Sequence, residues 1–483
     1  MLLPIRPLPL IRLLTLALAL AAGIVLLPAA PARADGDGLV REEVSFTGGG
    51  GLTLHGTVLT SATARGARPG IVLIGGSGAG PREEYRQEAE AFARAGITTL
   101  VHDKRTTGYS TMHRDFGLLA EDALAGVRLL RGRAGVDPRH VGLWGFSEGG
   151  WVAPLAASRS SDVAFVVTIG GSGYSPLRTQ TWNLDTHLRH RGITGHFPKA
   201  VAGPAAGLTA SLGVFPAADY DPLPALQRLQ HTPVLALWGQ YDNQVPPRES
   251  AQIFRRTLAA AGNQHTVIGF VPGAAHNGHR TSDGFDRIGG PLHHGKRLGD
   301  LPPGYAATMT SWVGEVAADR PPASRAATAP LQPIASTPVA GGRYAWLAPA
   351  LLLLGFAAHP AGGLLRRLGR RRRTDPASPR SAVLLRWLAG LGVVEVAGAL
   401  LCPLAVLAAG DATATPVLAG RPVTWLLLQG LAVGLLVLAA VTAATAWRER
   451  RTMGRAWRFR TLLTLAATAG FALWAVWWGL LIP

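Results

Sequence analysis

The chain has 483 residues, 48% of them hydrophobic, with a formal net charge of +18 and a single cysteine, Cys402, which excludes an intrachain disulfide. Residues 35–318 carry 26 basic and 24 acidic side chains, whereas residues 319–483 carry 18 and five. The near-neutral centre excludes a basic nucleic-acid footprint there, and the positive charge belongs to the apolar C-terminal part.

Residues 1–34 read as a secretory signal peptide. Arg6 and Arg12 precede an apolar run from Leu13 to Leu27, and Ala32-Arg33-Ala34 supplies small residues at the cleavage positions. An uncleaved anchor would export residues 35–318 just as well. These residues alternate strand-like and helix-like segments. Strands are expected at Leu52–Leu59, Ile71–Gly75, Ile97–His102, His140–Gly145, Val163–Ile169, Val234–Trp238 and His265–Phe270. Helices are expected at Arg86–Ala95, Leu118–Arg131, Arg248–Ala261 and about Tyr305–Ala318. Apolar strands separated by helices imply a mostly parallel sheet covered on both faces, an α/β fold. Residues 171–231 interrupt this rhythm, with Tyr174, Trp182 and Phe197 among polar neighbours, and read as a cap insertion over a pocket. Residues 319–343, rich in proline and alanine, read as a tether without a core of their own.

Residues 344–483 contain four apolar segments, about Tyr344–Leu365, Ala382–Ala409, Val423–Trp447 and Thr461–Ile482. Each is long enough to cross a hydrocarbon layer about 30 Å thick. Arg366–Arg380 holds seven arginines and Arg448–Arg460 six, against one in Gly410–Pro422. The bias of positive charge toward the cytoplasm puts both arginine-rich loops inside and residues 35–318 outside, the side the leader also predicts. His359 and Glu395 fall within the crossings, where pairing would lower the cost of burying them.

The chemistry-bearing stretch is Gly145-Phe146-Ser147-Glu148-Gly149, at the end of an apolar run and ahead of a helical segment. A Gly-x-Ser-x-Gly there is the pattern of a nucleophile elbow. Serine hydrolysis further needs a base, a carboxylate to orient it, and donors for the oxyanion. The acid candidate is Asp242, just past an apolar strand, and the base candidate is His276, after the last strand. His279 is the rival base. With His293 and His294 it could suggest a metal site, but the spacing has no metal-binding pattern, and no metal or cofactor is expected. The oxyanion donors would be the backbone N–H groups of Glu148 and of Ser77 in Gly75-Gly76-Ser77-Gly78. That loop lacks the lysine-containing phosphate-cradle pattern.

Together these stretches, with Asp103-Lys104-Arg105-Thr106-Thr107-Gly108-Tyr109-Ser110, stand in the order seen in α/β-hydrolases. The region 40–318 resembles the bacterial branch with dienelactone-hydrolase-like esterases and the hydrolase domain of prolyl-oligopeptidase-like peptidases. It departs at Gly75, where relatives often have histidine, and at Thr106, where they often have glycine. The reading is an exported serine hydrolase on a membrane-spanning tail. It acts on a small-molecule carboxylic ester through Ser147, His276 and Asp242, in contact with the lipid bilayer and without nucleic acid. A serine peptidase or acyltransferase of the same fold is the alternative among enzymes. An inactive binding domain serving a membrane transport or sensing module is the alternative from another class. The sequence names no protein partner.

Overall fold

The computed structural model describes residues 33–34, 37–293, 295–339, 344–368, 378–409 and 416–482. The expected leader, apart from Arg33 and Ala34, lies outside these residues. The sheet opens with a hairpin of β1 (Leu39–Thr47) and β2 (Thr53–Ser61) and continues with β3 (Arg68–Ile74), β4 (Thr98–His102), β5 (Val136–Phe146), β6 (Val166–Ile169), β7 (Val234–Gly239) and β8 (Thr266–Val271). Their order across the sheet is β1-β2-β4-β3-β5-β6-β7-β8. Strands β1, β2 and β4 pair antiparallel, and the remainder are parallel.

Successive residues of the central strands face opposite sides, so each strand feeds two cores. Val72, Leu143 and Val234 pack under α2 (Phe116–Arg131), α3 (Gly149–Ala157) and α8 (Pro247–Ala260). Ile71, Trp144 and Leu235 pack under α1 (Arg86–Arg94) and α9 (Tyr305–Ala317). Helix α2 begins where Asp115 accepts the Leu118 N–H at 3.0 Å, a side-chain cap on an orphan donor. Between β6 and β7 the cap forms α4 (Pro176–His190), α5 (Phe197–Ala200), α6 (Ala206–Ser211) and α7 (Leu223–Gln227).

The described part of the segment read as a tether, residues 319–339, bonds to the domain at several points. Arg325–Ala326 pairs parallel with β8 as a further strand, β9. Ser336 Oγ takes bonds from Arg178 at 2.8 and 3.0 Å, and its N–H donates to Glu249 at 3.0 Å. The Trp182 indole N–H donates to Ile334 O at 2.9 Å. Two-residue pairings and single side-chain bonds leave no hydrophobic period, so composition alone does not announce them.

Among its described residues the C-terminal part forms four helices, α10 (Leu347–Leu368), α11 (Pro379–Ala409), α12 (Val423–Arg448) and α13 (Arg455–Trp477). Three of them, over Arg380–Ala409, Val423–Arg448 and Arg455–Trp477, are long and apolar enough to cross a membrane. In α10 only Leu347–Ala361 counts as an apolar helix among the described side chains, and Pro360 sits at its end. A His359–Glu395 pair is not formed by hydrogen bonding: neither Glu395 oxygen has a partner among the described residues, while the His359 ring lies 5.5 Å from that of Trp457.

Candidate active site

Strand β5 runs straight into the turn that carries Ser147. The serine adopts φ +53°, a conformation uncommon for a residue with a side chain and one that marks a constrained turn. A Cβ at Gly145 would meet Gly149 O at 2.1 Å, and one at Gly149 would meet Ile74 O at 2.4 Å, so the turn closes only with glycine at both positions. The Ser147 N–H is anchored to Ile169 O at 2.8 Å.

His276 and Asp242 come to this serine from the loops after β8 and β7. His276 Nε2 is 2.9 Å from Ser147 Oγ, and its Nδ1 is 2.9 Å from Asp242 Oδ2. Asp242 Oδ1 also accepts the N–H groups of Gln244 and Val245 at 3.0 and 2.9 Å, which fixes the carboxylate in its own loop. Both side chains are buried. A histidine held this way can take a proton from the serine on one nitrogen while the other stays oriented. The rival His279 points elsewhere: its Nε2 is 2.7 Å from Glu88 Oε1 and its Nδ1 2.8 Å from Leu298 O. Burial opposes its charge, yet Glu88 holds its pKa above the ordinary histidine range. His294 lies outside the described residues, and no group of three potential metal ligands occurs among the described ones.

Ser77 and Glu148 border the same cavity as Ser147, and neither backbone N–H donates to an acceptor among the described residues. The cavity has a volume of about 60 Å³ and is lined in part by Pro176, Thr179, Gln180 and Asn183 of α4.

One cluster escaped the sequence reading. The Glu148 side chain is fully buried beneath the elbow and takes a charge-assisted bond from Lys104 Nζ and a 2.6 Å bond from Tyr109 OH, with Arg114 Nε at 3.5 Å. Lys104 Nζ also donates to Gly76 O at 2.6 Å, and the hydroxyls of Tyr85 and Tyr109 accept the N–H groups of Gly76 and Gly78 at 2.8 and 3.1 Å. Burial pushes the Lys104 ammonium below the usual lysine range, and the Glu148 carboxylate pulls it back up without cancelling the shift. The glycine loop is therefore tied to the residue after Ser147 through side chains. The next residue, Arg105, does structural work instead, gripping Asp122 at 2.5 and 2.6 Å and Gly49 O at 2.7 Å.

Lys104→Met should misplace that loop. The expected result is a kcat lower by about 10–100-fold with KM little changed, because a shift of about 1 Å in positioned groups costs that much. Stability should fall by about 3–5 kcal/mol, since Glu148 keeps its burial and loses a partner. Steady-state kinetics and thermal melts check both, and an unchanged kcat would show that the loop needs no such tie.

Residues 84–288 match the prolyl oligopeptidase family. This domain has the α/β-hydrolase fold. The hydrolase domain is similar, at 35% identity over 132 residues, to the thiohydrolase apmlB of Arthrinium phaeospermum, a match that covers 26% of this chain and 42% of that protein's length. An uncharacterized protein of Mycobacterium tuberculosis is 29% identical over 224 residues, 46% of this chain and 68% of its own. Among solved structures, dienelactone hydrolase from Anabaena variabilis is 19% identical, with a TM-score of 0.35, covering 58% of this chain and 99% of that one.

Proposed function

We propose that the protein is a membrane-tethered serine hydrolase that cleaves carboxylic esters outside the cytoplasm. The observation that carries the reading is the unbroken line of hydrogen bonds from Asp242 through His276 to Ser147 Oγ. Ser147 Oγ attacks the carbonyl carbon while His276 Nε2 takes its proton. The Ser77 and Glu148 N–H groups receive the oxyanion, and the acyl–oxygen bond breaks as His276 returns the proton to the leaving alcohol. Water, deprotonated by the same histidine, then releases the acid and restores the serine. A thioester or an acyl acceptor other than water fits the same steps. The thiohydrolase relative favours the first of these as the second reading. The test is a fluorophosphonate probe on the full chain in membranes. Labelling that survives Ser147→Ala would overturn the proposal.

The membrane placement follows from which end of the helices the hydrolase domain occupies. The Thr194 N–H of the cap donates to Gly420 O at 2.8 Å, in the connection between α11 and α12 that carries little charge. At the opposite end Ser378 Oγ, just before α11, donates to Glu449, just after α12, at 2.7 Å, and the arginine-rich stretches of the sequence adjoin both residues. Basic loops stay in the cytoplasm, so the hydrolase domain takes the outer side. Helix α10, 22 residues long, extends about 33 Å and can complete a fourth crossing. In a Cys402→Ser background, a cysteine at Leu418 should react with an impermeant thiol reagent on intact cells, and one at Thr452 only after lysis. Labelling of Thr452→Cys in sealed cells would reverse the assignment.

A further inference from the structure

One wall of the candidate active site and the seat of the hydrolase domain on the membrane helices are one helix. On α4, Pro176, Thr179, Gln180 and Asn183 face the cavity at spacings of three and four residues, one helical stripe. Leu184 and Leu188, on an adjoining stripe, are buried in a cluster with Phe356, Trp425 and Trp478 of the bundle. Further along the cap, the rings of Phe197 and Trp425 stand 5.0 Å apart. The same helix thus touches both the cavity beside Ser147 and the apolar cluster of the bundle.

Two other observations bear on the substrate. The cavity is small and lined largely by polar groups, among them Arg114, Gln180, Asn183 and Gln244, and it offers no apolar channel for a fatty chain. Arg114 lines the cavity 3.5 Å from Glu148, and its Nε has no hydrogen-bond partner among the described residues, so this guanidinium suits an anionic group. At the end of α6, Leu212 and Val214 are 56% and 52% exposed, and the next residue, Phe215, packs in one cluster with Leu407 of α11. These two apolar side chains therefore stand at the level where a membrane helix ends, as an apolar tip seated in the lipid interface would.

We propose that the substrate is a membrane amphiphile whose cleaved bond lies in its polar head, carrying a short anionic acyl group, and that it reaches Ser147 from the leaflet beside the cap. The inference rests on the hydrolase reading and the membrane placement. The acyl C–O bond breaks as the acyl group passes to Ser147 Oγ. The lipid alcohol leaves with the serine's proton, and water releases the short acid.

The test uses the full chain in phosphatidylcholine nanodiscs containing dioleoylglycerol esterified with succinate at its third hydroxyl. Succinate release should exceed oleate release by more than about tenfold, and should exceed hydrolysis of soluble monoethyl succinate at the same overall concentration by about 100-fold or more. Sharing a disc raises the rate of any anchored substrate, so a second arm separates entry from co-localisation. Leu212→Asp/Val214→Asp leaves the lipid in the same disc. It should lower succinate release about tenfold while p-nitrophenyl acetate turnover stays unchanged. Dominant oleate release, equal turnover of soluble and anchored succinate, no succinate release, or a double variant that changes both substrates or neither would overturn the inference. Fluorophosphonate labelling in the same samples keeps the two readings apart: a protein that labels but fails these arms loses only the substrate class, and one that does not label loses the hydrolase reading.

Discussion

Ser147→Ala is expected to abolish fluorophosphonate labelling and to lower ester turnover by about six orders of magnitude, because members of a hydrogen-bonded catalytic set act as a unit. The variant should remain folded. The Ser147 hydroxyl bonds only His276 among the described residues, and the turn itself is held by the Ser147 N–H to Ile169 O and by the glycine contacts. A thermal melt within a few degrees of the parent, with no turnover, would tie the loss to the oxygen atom. A well-folded Ser147→Ala protein that hydrolyses esters at the parent rate would remove Ser147 from the chemistry.

His276→Ala should be about as severe, since a serine hydroxyl without an adjacent base is a poor nucleophile. Asp242→Asn should cost about four orders of magnitude in kcat, because an amide there lets the imidazole adopt the tautomer that cannot accept the serine's proton. The two N–H groups that now donate to Asp242 Oδ1 still find an oxygen in asparagine, so this loss should come without a large loss of fold. His279→Ala provides the contrast. It breaks the pair with Glu88 and should lower stability, while the turnover of the folded fraction changes little. If His279→Ala inactivated the protein and His276→Ala did not, the base assignment would be reversed.

How much of this was legible from the chain depends on distance along it. The elbow is local, five residues whose glycines are demanded by backbone contacts, so the string alone carries it. Asp242 and His276 lie at the ends of apolar strands, where the fold's order assigns them roles. Strand β1 was missed because Glu42 and Glu43 break its alternation and its burial is partial, as befits a strand near a sheet edge. The Lys104–Glu148 tie joins residues 44 positions apart, and nothing in either local sequence announces the other. Glu148 was read only for its backbone N–H. Its side chain, beneath the elbow, needed coordinates to be seen.

The clamped segment after α9 sets how far the hydrolase domain could move if its seat on the helices parted. With Ser336 fastened to Arg178 and Glu249, Tyr344, ahead of α10, lies eight residues beyond this clamp. Eight residues reach about 26–29 Å at full extension, whereas a free chain from Ala318 to Leu347 would reach about 100 Å. A long leash would let the domain sweep a tall volume and forage in the surrounding medium. With the helices in a membrane as proposed, the short one would keep it foraging across a thin layer, where encounters are decided by diffusion in two dimensions.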